Sequence, residues 1–308
     1  MAGVEPTDLQ MKSKFFLTHY HQQKQWFSQL GQIRGSVIPA IFPKVCFCML
    51  FSLIISRLYL AGINLAVPVK SGLIPSIVLG LLLVFRTNTA YDRFWEGRKL
   101  WGNLVNTVRN LSRSIWVTIG EQSCQDRCNK EEVLRLLVAF CISMKLYLRG
   151  EKVNQELEAL MTLVHYQALK DINHPPLEIA FWISDYLHQQ LQQDQVNPYQ
   201  FNAMLRLVDQ MVDSLGACER ILKTPMPLAY AIHLKQLVFI YCLSLPFELV
   251  DQLLWLTAPV VGLVSFAIFG IEEIGAEIEN PFGYDANDLP LDDICYNIQH
   301  NIEDLMRF

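Results

Sequence analysis

The sequence is short of charge. Only 18% of its 308 residues are Asp, Glu, Lys or Arg, while 52% are hydrophobic, and the formal net charge is −5. Soluble domains usually carry about a quarter of their residues as charged side chains. A balance this weak and slightly acidic gives no sign of nucleic-acid binding. The usual marks of chemistry are missing too: there is no Walker loop, no GxGxxG, no HExxH and no other histidine spacing fit for a metal. Scattered Ser, His and Asp residues define no triad, so no enzymatic activity and no cofactor are expected. No internal repeat is visible, which argues against a transporter built from duplicated halves. There is no signal peptide with a cleavage site, and a start holding Glu5, Asp8 and few arginines is unlike a transit peptide. The eight cysteines have no regular spacing and several lie in apolar runs, so reduced thiols facing a cytosol-like compartment are expected. Cys124 and Cys128, in CQDRC, have no histidine nearby. Free thiols are the expectation there, with zinc the weaker reading.

What the chain does have is long apolar runs. Residues 36–60 form a first candidate span, with Lys44 and Arg57 near its ends, long enough for a bilayer core of about 30 Å. A second runs from about 73 to 89, a third over 228–250 with Pro246 inside it, and a fourth over 253–271. Trp26, Phe27, Leu30 and Ile33 have near-helical spacing and predict a docked or interfacial helix within residues 1–35. Residues 94–225 are polar but periodic. Leu134, Leu137, Val138, Cys141 and Ile142 form one helical face, and Met204, Leu205, Val208, Met211, Val212 and Leu215 form another. Breaks are predicted at Asn173–Pro176 and Asn197–Pro198.

Charge is unevenly placed. Residues 272–308 hold ten acids against one base, Arg307, while basic residues gather in 86–152. Contact between the two is expected. Residues 90–233 carry fifteen Lys or Arg, the connector 61–72 one, and the linker 251–258 none. The positive-inside bias puts the N-terminus, the large middle section and the C-terminus in the cytoplasm, a parity that four spans satisfy.

The stretch 68–102, PVKSGLIPSIVLGLLLVFRTNTAYDRFWEGRKLWG, carries the most information. It starts as a membrane-grade helix and turns without a break into a basic, aromatic one. Ile77, Leu81 and Phe85, four apart, form a stripe that is either a packing seam or a hydrophobic constriction. FRTNTAYDRFWEGRKLWG at 85–102, followed by NPFGYDAND at 280–288, resembles the bestrophin-type channels in their bacterial and plant-organelle branch.

The resemblance implies one all-α channel domain over 1–308. It would have four transmembrane helices and a cytosolic helical body over 90–227 and 272–308. It implies a homopentamer in membrane lipid with five copies of the second span around a central pore that passes inorganic anions such as chloride. A cation-selective pore of the same fold is the alternative within that family. A non-conducting membrane scaffold and an integral-membrane enzyme are the other classes. Carried over residue by residue, the narrow neck falls on Ile77, Leu81 and Phe85, with Leu73 the alternative to Phe85. A cytosolic constriction falls near Val196, Asn197 and Phe201, where the residues by themselves read as a helix-start turn. Arg86, Asn88, Thr89 and Arg93 fall at the inner mouth. Some animal members bind calcium through the acidic run after NPFG. Here Asp285 and Asp288 keep two of its carboxylates while Tyr284, Ala286 and Asn287 depart from it, so no metal is expected. Glu272, Glu273 and Glu277 read as partners of the basic helix or as a cation-favouring vestibule. A bacterial inner membrane is the expected residence.

Overall fold

The computed structural model describes residues 31–33, 35–67 and 73–307. The docked helix expected around Trp26, Phe27 and Leu30 lies outside the described residues, as does Lys70. All regular structure among the described residues is helical. The chain groups into two compact units, one from the N-terminal part to residue 70 plus 238–273, the other from 71–237 plus 274–308.

The first unit contains α1 (Ile38–Leu60) and the greater parts of α8 (Leu228–Leu253) and α9 (Thr257–Glu277). Helix α1 is apolar on every side. Ile41, Val45, Cys48, Ser52 and Ile55 are buried at three- and four-residue spacing, while Phe42, Phe47, Leu50, Ile54 and Leu58 remain exposed. A helix that is apolar all round belongs in a large core or a bilayer. The run Leu228–Glu277 and α1 are the described stretches long and apolar enough to cross a membrane. Phe47 stacks on Phe239 and Phe51 meets Phe247 edge-on, each at 6.0 Å between centroids. Helix α9 approaches α1 closely because Gly262 has no Cβ. One there would lie 2.6 Å from Met49 Cγ. The predicted linker 251–258 contracts to a single 3₁₀ turn, Leu254–Leu256, entered through Leu254 at φ 51°.

The second unit is built on α2 (Leu73–Thr118), whose 46 residues run unbroken through the predicted end of the second span. The expected boundary near 89 marks only a change of environment. Tyr and Trp follow Arg86 there, and nothing in that sequence stops a helix. The other elements are α3 (Cys124–Leu148), α4 (Gln155–Glu158), α5 (Leu163–Lys170), α6 (Pro175–Gln192), α7 (Pro198–Lys223) and α10 (Leu291–Met306). Helix α2 packs on α7, α3 on α6, and α10 against both α3 and α2. Their core faces recur every three or four residues: Trp101, Leu104, Val108, Leu111 and Ile115 on α2, Met204, Val208, Met211 and Leu215 on α7. The predicted α3 face is fully buried, while Leu205 and Val212 sit at the edge of the α7 stripe.

Helix starts follow their capping chemistry. Ser123 and Asp126 form a reciprocal capping box before α3, and Asn197 and Gln200 form one before α7. Prolines occupy the first turn of α6 and α7, where a missing N–H costs nothing. The expected contact between basic section and acidic tail is present. Buried Lys145 donates to Glu156 at 2.7 Å and Asp292 at 2.8 Å, and Arg149 donates to Asp292 at 2.9 Å.

Candidate functional site

Helix α2 has two faces with opposite jobs. Leu79, Leu83, Arg86 and Ala90 are buried, continuing into Gly97 and Trp101. The other face leaves Ile77 52% exposed, Leu81 52% and Phe85 61%, with Val84 beside them. Below Phe85 the same face goes on through Asn88, Thr89, Asp92 and Glu96. Thr89 donates its hydroxyl to the Phe85 carbonyl at 2.9 Å, which leaves its oxygen only as an acceptor. The three apolar residues predicted to share a stripe do share one, and it is bare in the single chain. A contiguous apolar strip of this kind marks a surface that something else covers.

The two arginines expected at the inner mouth point elsewhere. Position 86 falls on the buried side, and its guanidinium lies 3.9 Å from the Glu279 carboxylate. Arg93 is a clamp. It donates from Nη2 to the Ile221 carbonyl and from Nη1 to the Thr224 carbonyl, both at 2.5 Å, and from Nε to the Glu279 carbonyl at 3.0 Å. Two of these acceptors close the C-terminal end of α7, where carbonyls lack helical partners and the dipole favours a cation. The Glu279 side chain accepts from the Met226 N–H at 2.9 Å, at the entrance to α8. Arg86, Arg93 and Glu279 therefore fix the α7–α8 corner rather than line an open face.

The two sequence motifs meet. A Cβ on Gly97 would lie 3.2 Å from both Pro281 and Phe282, and Phe282 is wholly buried. Gly97 in FWEGRKLWG thus provides the flat spot on which NPFG packs.

A family model described as bacterial/fungal bestrophin protein matches residues 18–304. The chain belongs to the bestrophin family. A Synechocystis protein named as voltage-dependent anion channel-forming is 57% identical over 294 residues, 95% of this chain and 96% of that one. A Nostoc protein of the same description is 58% identical over 283 residues, 92% of each. A solved bestrophin homolog from Klebsiella pneumoniae superposes with a TM-score of 0.80 at 28% identity, covering 86% of this chain and 98% of that one. With the apolar helices described above, membership makes this chain an integral membrane protein.

The remaining predicted positions of this bestrophin have definite surroundings. Val196 is buried in the core. The Asn197 side chain is committed to the N–H groups of Tyr199 and Gln200, at 3.0 and 2.9 Å. Phe201 is partly buried against the core and faces His188. Asp288 folds back on its own turn, accepting from the Asp285 N–H at 2.8 Å. Burial raises its carboxyl above the usual range, with the Asp285 charge adding and the hydrogen bond from Asp285 opposing. Asn287 bonds Glu277 and Tyr284 bonds Glu151. No group of three or more metal-ligating side chains occurs among the described residues. Glu273 pairs with Lys44 of α1 at 2.7 Å, so its partner is the first helix and not the basic one. All eight cysteines are free. Sequence reasoning gave no role to Gly97 or to the Glu279 side chain. Their one sequence signal was membership of, or adjacency to, the two motifs.

Proposed function

We propose that the chain is a passive channel for small anions, chloride among them, formed by five copies arranged around α2. The observation that carries this reading is the bare stripe Ile77, Leu81 and Phe85, on a helix that passes directly from an apolar into a polar environment. Five such stripes facing one axis make three greasy rings, and a tube of that kind controls ions by wetting and dewetting. The naming of the Synechocystis and Nostoc relatives as anion channel-forming supports the choice of ion. Asn88 and Thr89, exposed just past the rings, supply the polar step that follows the neck. In this reading four spans cross a bacterial inner membrane, and the body over 90–227 and the C-terminal segment lie in the cytoplasm. A second constriction lies at the start of α7, with Asn197 and Phe201 at its edge beside exposed Tyr199 and Val196 supporting them from the core.

A cation-selective pore is the second reading, and a specific observation favours it. Arg86 and Arg93 are turned inward, whereas Asp92 and Glu96 remain on the exposed face. Reversal potential decides between the two. Purified protein in a planar bilayer under a KCl gradient reverses near the chloride potential if the proposal holds. Reversal near the potassium potential transfers it to Asp92 and Glu96. Absence of current rejects the channel itself.

A further inference from the structure

Helix α3, the turn after it and helices α4 to α6 surround a recess of about 510 Å³ within the second unit. Much of its wall is apolar. Leu146, Leu157 and Leu169 are buried there, with Val153 and Ile172 partly so. Lys152 and Lys170 stand in the same wall, both exposed. Neither has a carboxylate partner among the described residues, and Lys170 Nζ lies 4.2 Å from the Tyr166 ring centroid instead. Glu151 also lines the recess, but its carboxylate accepts from the Tyr284 hydroxyl. An apolar wall is thus joined to two cations without counter-charge among the described residues.

A second, independent feature points to a ligand. Ser143 lines the recess and is only 2% exposed. Ser112, Ser184 and Ser214, also inside helices of this unit, each donate to the carbonyl four residues back at 2.7–2.9 Å. That local bond is how a helical hydroxyl usually settles in a core. The Ser143 hydroxyl does not make it, and has no other hydrogen-bond partner among the described residues. A buried polar group normally finds a partner, so an oxygen entering the recess meets a hydroxyl ready to bond.

We propose that this recess binds a small organic acid with an apolar body and a second polar oxygen. The carboxylate faces Lys152 and Lys170, the body lies on the leucines, and the second oxygen pairs with Ser143. A bare inorganic anion suits the site less well, because it offers nothing to the apolar wall. No residue of α2 lines the recess, so the site stands whether or not the stripe on that helix lines a pore.

The test is calorimetric titration of the intact protein in detergent with 4-hydroxybenzoate, at ionic strength held constant with NaCl. Saturable binding is expected. Benzoate, which lacks the hydroxyl, binds about fivefold more weakly. The amide 4-hydroxybenzamide, which lacks the charge, binds about tenfold more weakly. Lys152→Gln with Lys170→Gln reproduces the second loss. Ser143→Ala reproduces the first and brings benzoate and 4-hydroxybenzoate to equal affinity. It leaves the melting point of the empty protein unchanged or higher, since it removes an unpaired polar group, so its effect on binding is not one of unfolding. No saturable heat from 4-hydroxybenzoate overturns the proposal, and so does an affinity that the serine and lysine variants leave unchanged. A carboxylate of a neighbouring copy can satisfy the same lysines. In that case the free acid does not bind and the lysine variant lowers the oligomeric mass, an outcome that rejects the free ligand.

Discussion

Replacing Arg93 by Ala separates a structural arginine from one that faces permeant ions. The substitution removes donors from three carbonyls, those of Ile221, Thr224 and Glu279. The Thr224 contact is exposed and water replaces it. The other two are partly buried, and hydrogen bonds from a charged donor are worth about 1.5–3 kcal/mol each. Loss of the cation at the C-terminal end of α7 adds roughly 0.3–1 kcal/mol. The total is about 5 kcal/mol. At roughly 2–4 °C per kcal/mol for a body of this size, the midpoint falls by about 10–20 °C. Arg93→Lys keeps the charge but reaches fewer carbonyls, so it recovers about half of the loss. The assay is gel filtration of the oligomer after stepwise heating. An Arg93→Ala midpoint within about 2 °C of the parent, together with an altered anion-to-cation permeability ratio, would refute the clamp and return Arg93 to the inner mouth.

Other outcomes follow from the same contacts. Gly97→Ala forces the buried Phe282 and Pro281 to move by a few tenths of an ångström, costing about 1–3 kcal/mol, and thermal inactivation measures it. Phe85→Ala or Ile77→Ala raises single-channel conductance by widening and wetting the neck, and unchanged current in both removes the neck from this stripe. Asp292 loses solvation, but the bonds from Lys145 and Arg149 outweigh that and hold its carboxyl below the usual range. Its contribution is present above the ordinary carboxylate pKa and is lost as pH falls through the lowered value. Burial opposes the charge on Lys145, yet Asp292 and Glu156 raise it above the ordinary value. Its share is complete below that ordinary value and fades as pH rises through the raised one. The melting point should therefore be flat near neutrality and fall at both extremes, with Asp292→Asn lowering the plateau and flattening the acid limb.

The helical class, the core faces and the two motifs were legible because spacing and composition carry them locally. Leu134, Leu137 and Cys141 announce a buried face by their period alone, and Asn197–Pro198 announces a helix start. The roles of Arg86 and Arg93 were not legible. A basic residue beside an apolar run reads the same whether it turns toward solvent or toward the helix behind it, and the choice depends on Glu279, far along the chain. The full length of α2 was hidden for a related reason. Hydropathy changes sharply at Arg86, whereas the backbone continues to Thr118.

The unbroken α2 has a mechanical consequence. Its 46 residues make a rod about 69 Å long, and one rotation angle describes its whole length unless the rod bends. Turning Ile77 or Phe85 about the helix axis would turn Gly97 as well, and Gly97 sits against Phe282 with no slack. Twisting the rod by itself would thus disturb this packing a few turns below the stripe. In the proposed channel, opening or closing at Ile77, Leu81 and Phe85 would come from side-chain reorientation, or from movement of the rod together with the NPFG segment as a single body.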